Sequence, residues 1–205
     1  MLLQTEGIIH LATQREPTLC GAKTQVASLT LNDKYLKGGF GYKTQLLTKQ
    51  WVVIVPFIGD LDVKANGKQV LLEENQALSL VGEASTEIEI TNPYDTDTVN
   101  FFELLLEAQV QDAVPTVVSI DVQQHKNQLI PIAPTIWIGQ YDGRVDDVFH
   151  PKNLESKVFV YVLSGAFEVQ NRLLETRDAV TLWHTDEVEF EALSNDAVLL
   201  IVALP

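Results

Sequence analysis

The chain has 205 residues and a formal net charge of −14 at pH 7, with 46% hydrophobic and 20% charged residues. This composition is typical of a folded globular protein and excludes a chain that is disordered throughout. The acidic balance disfavours binding to nucleic acid or to an anionic membrane surface. No apolar run has the length of a membrane span, and the single cysteine, Cys20, excludes an intramolecular disulfide. We therefore expect a cytoplasmic protein.

Short apolar runs, punctuated by Gly, Asn, Asp and Pro, predict β-strands along most of the chain. The clearest predicted strands are residues 25–31, 51–57, 77–81, 86–91, 99–106, 135–141, 158–163, 179–183 and 197–204. Asn66-Gly67 and Asp142-Gly143 are dipeptides typical of two-residue hairpin turns. No stretch keeps the apolar spacing of a helix over several turns, so the sequence predicts an all-β fold.

The two halves of the chain repeat one pattern in the same order. The run WVVIVPFIGDLDV around Gly59 matches KVFVYVLSGAFEV around Gly165. The matches continue with LLE at residue 71 and at residue 173, with EIEI at residue 87 and EVEF at residue 187, and with VNFFELLL at residue 99 and AVLLIVAL at residue 197. Several matches in one order indicate duplication of a β-module.

A polar segment between the halves, AQVQDAVPT, predicts where the two modules meet. We place the first domain at residues 1–112 and the second at residues 113–205. Many short strands, hairpin turns and an internal duplication together predict two small β-barrels.

Three segments resemble the pirin-like bicupins, a family that includes pirin and bacterial quercetin 2,3-dioxygenases. They are the G-F-G at Gly39, the run ITNPYDTDTVNFFELLL from Ile90, and the stretch from His150 to Pro205 with its VYVLSGAFEV and LLIVALP. The resemblance implies an all-β fold of two tandem cupin-like barrels of the jelly-roll type. In that family the first barrel holds a divalent metal through three His and one Glu, and the second usually carries none.

The sequence departs from the family at the metal positions. Counting from Gly41 places the first two ligand positions on Lys43 and Gln45, and counting back from Asn92-Pro93 places the other two on Ile88 and Ile90. A charged ammonium and an aliphatic side chain have no lone pair to give a metal, and a primary amide is a poor ligand. We therefore predict no metal and no cofactor. Shifting the second count by one residue would place Glu87 and Glu89 there, still without an imidazole.

The remaining candidate residues form two groups, one in each barrel. Tyr42, Lys43 and Gln45 are predicted near the mouth of the first barrel, with Ile88 and Ile90 making its interior apolar. In the second barrel, the candidates are His150, Trp183 and His184. Isolated histidines are more often ordinary surface groups, and tryptophans more often pack between sheets.

Three functions remain open on the sequence. The first is a metal-free bicupin that binds a small apolar molecule or a protein partner, with no catalytic residue assigned. The second is a cofactor-independent enzyme of the isomerase or epimerase type, in which His150 or His184 acts with a tyrosine such as Tyr161. The third, least favoured, is a quercetinase-type dioxygenase with unusual ligands. Edge strands of small barrels also allow homodimerisation by sheet extension.

Overall fold

The computed structural model describes residues 5–107 and 115–205. It forms two compact units, here called the first unit (Glu16–Ile120) and the second unit (the residues up to Arg15 and from Asp121 onward). The strands are numbered β1 to β21 in chain order, and every pairing between them is antiparallel. Among the described residues, no helix is long and apolar enough to cross a bilayer. Apart from one 3-10 turn, the described elements are all strands, so the fold is all-β, as predicted.

The first unit consists of a seven-stranded sheet in the order β12-β9-β6-β11-β4-β3-β2 and a four-stranded sheet in the order β5-β10-β7-β8. Their bounds are β2 Glu16–Thr18, β3 Gly21–Val26, β4 Leu29–Leu36, β5 Gly41–Gln45, β6 Gln50–Ile58, β7 Leu61–Ala65, β8 Lys68–Leu72, β9 Gln76–Gly82, β10 Glu87–Thr91, β11 Val99–Glu107 and β12 Thr116–Ser119.

The second unit has the same two-layer plan, with a six-stranded sheet in the order β1-β19-β16-β21-β14-β13 and a four-stranded sheet in the order β15-β20-β17-β18. Their bounds are β1 Gly7–His10, β13 Ile130–Ala133, β14 Ile136–Tyr141, β15 Asp146–Phe149, β16 Lys157–Ser164, β17 Phe167–Val169, β18 Arg172–Leu174, β19 Ala179–Leu182, β20 Val188–Ala192 and β21 Ala197–Leu204, and a 3-10 turn covers Ala12–Gln14.

The duplication predicted from the sequence is visible in the backbone. Gly59 and Gly165 both adopt a positive φ, 77° and 80°, where the chain leaves one sheet for the other. A Cβ atom at Gly59 would lie 2.7 Å from Val99, and one at Gly165 would lie 2.8 Å from Ala197. Val99 and Ala197 begin the matched strands β11 and β21, so the same close approach requires glycine in both repeats.

Each repeat contributes one edge strand to the other unit. β1 pairs with β19, with Gly7 opposite Leu182, and β12 pairs with β9, with Thr116 opposite Ser79. The predicted domain boundary between residues 112 and 113 lies outside the described residues. β1 lies in the predicted domain 1–112 but belongs to the second unit, and β12 lies in the predicted domain 113–205 but belongs to the first unit.

The two predicted hairpin dipeptides behave differently. Asn66 and Gly67 both have positive φ and connect β7 to β8, as predicted. The prediction for Asp142-Gly143 is wrong, because β14 and β15 lie in different sheets. There Arg144 takes the positive φ, and Asn195 accepts a hydrogen bond from the Gly143 amide through its side chain.

Alternation of apolar and polar residues along the strands places one core inside each unit. In the first unit the core includes Val52, Ile54, Leu61 and Phe101. In the second it includes Val160, Phe167, Phe190 and Ile201. These clusters define which face of each strand points into its barrel.

Candidate functional site

Strands β5 and β10 lie side by side in the small sheet of the first unit and contain the positions predicted from the metal motif. Their register sets Tyr42 opposite Ile90 and Thr44 opposite Ile88. Ile88 and Ile90 are fully buried in the core, and Tyr42 packs against it. Since directly opposite residues project to the same side of a sheet, Tyr42 and Thr44 share the inward face with the two isoleucines.

Lys43 and Gln45 do not belong to that inward face, so the count that placed two ligand positions on them is wrong. Lys43 is 55% exposed, and its ammonium lies 3.0 Å from the Glu87 carboxylate and 3.4 Å from that of Glu89. Gln45 is exposed and donates to the backbone oxygen of Ser85. The reason is the two-residue repeat of a strand, since an error of one residue in the count moves a side chain to the other face.

The four inward residues do not fit a three-His, one-Glu metal centre. Isoleucine has no donor atom, and neutral tyrosine and threonine hydroxyls are weak ligands compared with imidazole and carboxylate. Within residues 5–107 and 115–205, no group of three or more His, Cys, Asp or Glu side chains is placed to hold a metal ion.

A cluster of polar side chains lies next to Tyr42, and we call Asn32, Lys34, Tyr42 and Glu103 the polar cluster. The Glu103 carboxylate is 2% exposed, and its Oε2 lies 3.0 Å from the Lys34 ammonium. The same oxygen accepts a hydrogen bond from Asn32 Nδ2 at 2.9 Å, while Oε1 accepts one from the Tyr42 hydroxyl at 3.3 Å. Three donors from two other strands thus converge on one buried carboxylate.

The orientation of this cluster follows from the strand register. Glu103 is opposite Asn32, and Phe101 is opposite Lys34, on strands β11 and β4. Phe101 belongs to the barrel core, so Glu103, two residues further along β11, also points inward. The Lys34 ammonium lies 3.9 Å from the centre of the Tyr42 ring, in cation–π geometry.

Electrostatics keep the Tyr42 hydroxyl protonated. Burial is the largest cause, and the adjacent Glu103 carboxylate acts in the same direction, so the pKa of Tyr42 is raised far above its ordinary value. Tyr42 is therefore a hydrogen-bond donor to Glu103 and not a base.

Tyr42 was predicted from the sequence as a candidate residue, whereas Asn32, Lys34 and Glu103 were not. Two signals were present. Glu103 interrupts the apolar run VNFFELLL, and the matched position in the second repeat is Ile201. A charged residue at an inward position of a buried strand is unusual and marks a site worth testing.

In the second unit the predicted residues lie at the surface. Trp183 Nε1 donates to Glu6 at 2.5 Å, and His184 Nδ1 lies 3.3 Å from the same carboxylate oxygen. His150 is exposed, with Nδ1 lying 3.2 Å from the Asp186 backbone oxygen. Trp183 and His184 therefore both contact the carboxylate of Glu6, which directly precedes β1.

Tyr161 does not join these histidines. Val160 and Val162, its neighbours on β16, belong to the barrel core, so Tyr161 points away from the barrel interior. Its hydroxyl accepts a hydrogen bond from Arg15 at 3.0 Å. The structure thus gives no support to an acid–base pair of Tyr161 with either histidine.

The surface depressions of the two units lie over the small sheets. One of them, about 390 Å³, is open and borders Lys64, Gly67, Ser85 and Glu87 in the first unit. A second, about 250 Å³, borders Asp146, Glu168, Glu189 and Glu191 in the second unit. Neither of them borders a residue of the polar cluster.

Comparisons with known proteins agree with this architecture. Residues 117–202 match the family model for the quercetinase C-terminal cupin domain. The crystal structure of YhhW from Escherichia coli is similar with a TM-score of 0.80 and 14% identity, over 98% of both chains. Bacterial pirin YhhW from Escherichia coli in complex with nickel(II) gives 0.74 and 12% identity, over 98% of this chain and 99% of that one. Quercetin 2,3-dioxygenase from Acinetobacter baumannii gives 0.63 and 13% identity, over 86% and 74%. A comparison with curated protein sequences finds no match.

The repeated two-sheet unit is the fold of these solved structures, which include a bacterial pirin and a quercetin 2,3-dioxygenase. Residues 117–202 in addition match the quercetinase C-terminal cupin domain. The resemblance to pirin-like bicupins seen in the sequence is confirmed at the level of the fold and of that domain.

Proposed function

We propose that this pirin-like bicupin works without a metal and serves as a binding protein. The observation that carries the proposal is the inward face of β5 and β10, where Tyr42, Thr44, Ile88 and Ile90 lie opposite one another in pairs. Two buried isoleucines fill space that ligand side chains would need, and the pairing leaves no imidazole there.

The relatives supply the contrast. One similar structure is a nickel(II) complex and another is a quercetin 2,3-dioxygenase. A dioxygenase of that kind needs a metal with open positions for substrate and oxygen. The donor set of the present chain supports no such centre, which favours binding over oxidation.

The experiment is a metal determination on protein made without a histidine tag, from cells grown with added iron and nickel. We expect well below one equivalent of any transition metal after gel filtration. Stoichiometric iron, nickel, copper or zinc would overturn the proposal. The matched control is a relative that binds metal, purified in parallel, which shows that the procedure retains a bound ion.

The occupant of the site is either a small molecule or a protein partner, as the sequence analysis left open. The polar cluster favours a small molecule, because its carboxylate and ammonium are buried within a barrel. A small molecule can reach such groups, and a flat protein surface cannot. The acid–base enzyme has no comparable support, since Tyr161 hydrogen-bonds Arg15 on the outer face.

A further inference from the structure

The two large sheets end in four edge strands, β1, β2, β12 and β13, and these edges are not protected alike. β2 contains Pro17 and β13 contains Pro131. A proline on an edge strand removes a backbone donor and hinders the addition of another strand. β1 and β12, the strands exchanged between the repeats, contain neither proline nor lysine. Each large sheet therefore has one protected edge and one unprotected edge.

β1 is the more apolar of the two unprotected edges. Ile8 is 56% exposed and Ile9 is 41% exposed, and Leu11, directly after the strand, is 40% exposed. β12 exposes one large apolar side chain, that of Val117, between residues with hydroxyl groups at both ends of the strand. An exposed apolar edge strand is a template for pairing with another chain. β1 is thus the edge at which an added strand would bury the most apolar surface.

The pairing of β1 with β19 fixes which backbone groups point to the open side. The Glu6 oxygen accepts a hydrogen bond from the Trp183 amide. The backbone groups of Glu6 and of every second residue after it therefore face β19. Gly7 and Ile9 direct their N–H and C=O groups the other way, and among the described residues β1 has a neighbouring strand on one side only. Both residues thus present a donor and an acceptor at the open edge.

The spacing of these groups is self-complementary. When two copies of β1 run antiparallel with Ile8 opposite its own counterpart, Gly7 of each copy lies opposite Ile9 of the other and exchanges both hydrogen bonds with it. Because Gly7 has no side chain, the Ile9 opposite meets no clash. The two Ile8 side chains form a non-hydrogen-bonded pair, in which side chains are closest. Glu6 lies opposite His10 of the second copy, so no two carboxylates meet.

We propose that β1 is a homodimer interface, at which two copies of the chain pair antiparallel along Gly7–His10 with the twofold axis at Ile8. The six-stranded sheets of the two copies then continue into one another, and isoleucines that are exposed in the single chain become covered. A second copy is the occupant because the edge matches itself in backbone spacing, side-chain size and charge. The interface is narrow, so the association is reversible, with a micromolar dissociation constant.

Sedimentation equilibrium of the parent protein over a range of concentrations tests the dimer. We expect the mass to rise from the 22.8 kDa of one chain toward twice that value. A mass of one chain at about 0.5 mM protein, well above a micromolar dissociation constant, overturns the proposal.

Charge substitutions at Ile8 test the register. Ile8→Lys and Ile8→Glu each place like charges opposite one another at the twofold axis, and we expect the dissociation constant to rise about tenfold or more. An equimolar mixture of the two variants pairs opposite charges, so the dimer should return as a heterodimer. Val117→Lys, on the other unprotected edge, is the matched control and should dimerise like the parent. Unchanged dimerisation of either Ile8 variant, no recovery in the mixture, or equal dissociation of Val117→Lys contradicts the assignment.

A cross-link gives a readout that does not depend on the strength of the association. In a Cys20→Ser background, Ile8→Cys places two thiols in a non-hydrogen-bonded pair with Cα atoms about 4.5 Å apart, within the range of a disulfide. We expect a disulfide-linked dimer on mild oxidation, and none from Val117→Cys in the same background. Both sites are exposed, so the fold should tolerate either change. No cross-link at residue 8, or equal cross-linking at residue 117, refutes the pairing.

Discussion

Removing the Glu103 carboxylate should destabilise the first unit strongly. In Glu103→Leu, Lys34 loses its ion-pair partner at 3.0 Å, and the side chains of Asn32 and Tyr42 lose their acceptor. Breaking a buried pair by removing one partner costs about 3–5 kcal/mol. The 13% exposure of Lys34 allows some hydration of the ammonium, so we expect the lower end, about 3 kcal/mol.

The double replacement should reverse part of that loss. Lys34→Met with Glu103→Leu leaves no unpaired charge, but Asn32 and Tyr42 still lack their acceptor, so the free energy of unfolding should lie about 1–2 kcal/mol below the parent. The coupling between the two substitutions is then about 2 kcal/mol or more in a double-mutant cycle.

The assay is urea unfolding followed by Trp51 fluorescence, in a background with Trp137→Phe and Trp183→Phe. Trp51 is buried in the first unit, whereas the other two tryptophans belong to the second unit. If Glu103→Leu costs less than about 1 kcal/mol, or if the double variant is as unstable as the single one, the ion pair does not have the role assigned to it.

Other predictions concern the inward positions of β5 and β10, the core and pH. Four inward substitutions should create a metal site, measured as binding of one equivalent of nickel by calorimetry. No binding is expected when the two β5 histidines are placed at residues 43 and 45 instead. The substitutions are Tyr42→His, Thr44→His, Ile88→His and Ile90→Glu. Ile88→Ala alone should cost about 2–5 kcal/mol in urea unfolding, because it opens a cavity in the core; a value near zero would show that Ile88 is not packed. Burial lowers the pKa of His10 below its ordinary 6.5, so the unfolded chain binds more protons and stability falls as the pH drops below that value. His10→Gln should remove this part of the acid sensitivity in unfolding measured across the pH range, and an unchanged slope would contradict it.

The sequence was sufficient for the all-β class and the duplication because both depend on patterns that the chain repeats. The glycines at residues 59 and 165 fix the same chain reversal in each repeat, and the EIEI and EVEF strands bury alternate residues in both. The exchange of edge strands could not be predicted, because the sequences of β1 and β12 carry no signal for which repeat each strand pairs with. Pairing of short edge strands is decided by tertiary contacts and not by local pattern.

The site was predicted only in part for a related reason. Counting residues from Gly41 placed the first two ligand positions on Lys43 and Gln45. The face of the sheet on which a β5 residue lies depends on the register between β5 and β10, and the sequence does not reveal that register. Glu103 and Lys34 are distant in sequence and meet only through pairing of β4 with β11. Single-sequence reasoning can mark each as unusual, but it cannot bring them together.

The exchange of β1 and β12 has a consequence for synthesis on the ribosome. The first unit can close once β12 has emerged, while the tail of the molecule is still being made. Of the described strands β1 is translated first and its partner β19 is third from last, so β1 must remain unpaired while the strands between them are made. Cutting the gene between the repeats would separate β1 from its partner β19 and β12 from its partner β9. Neither half should then fold well without the other.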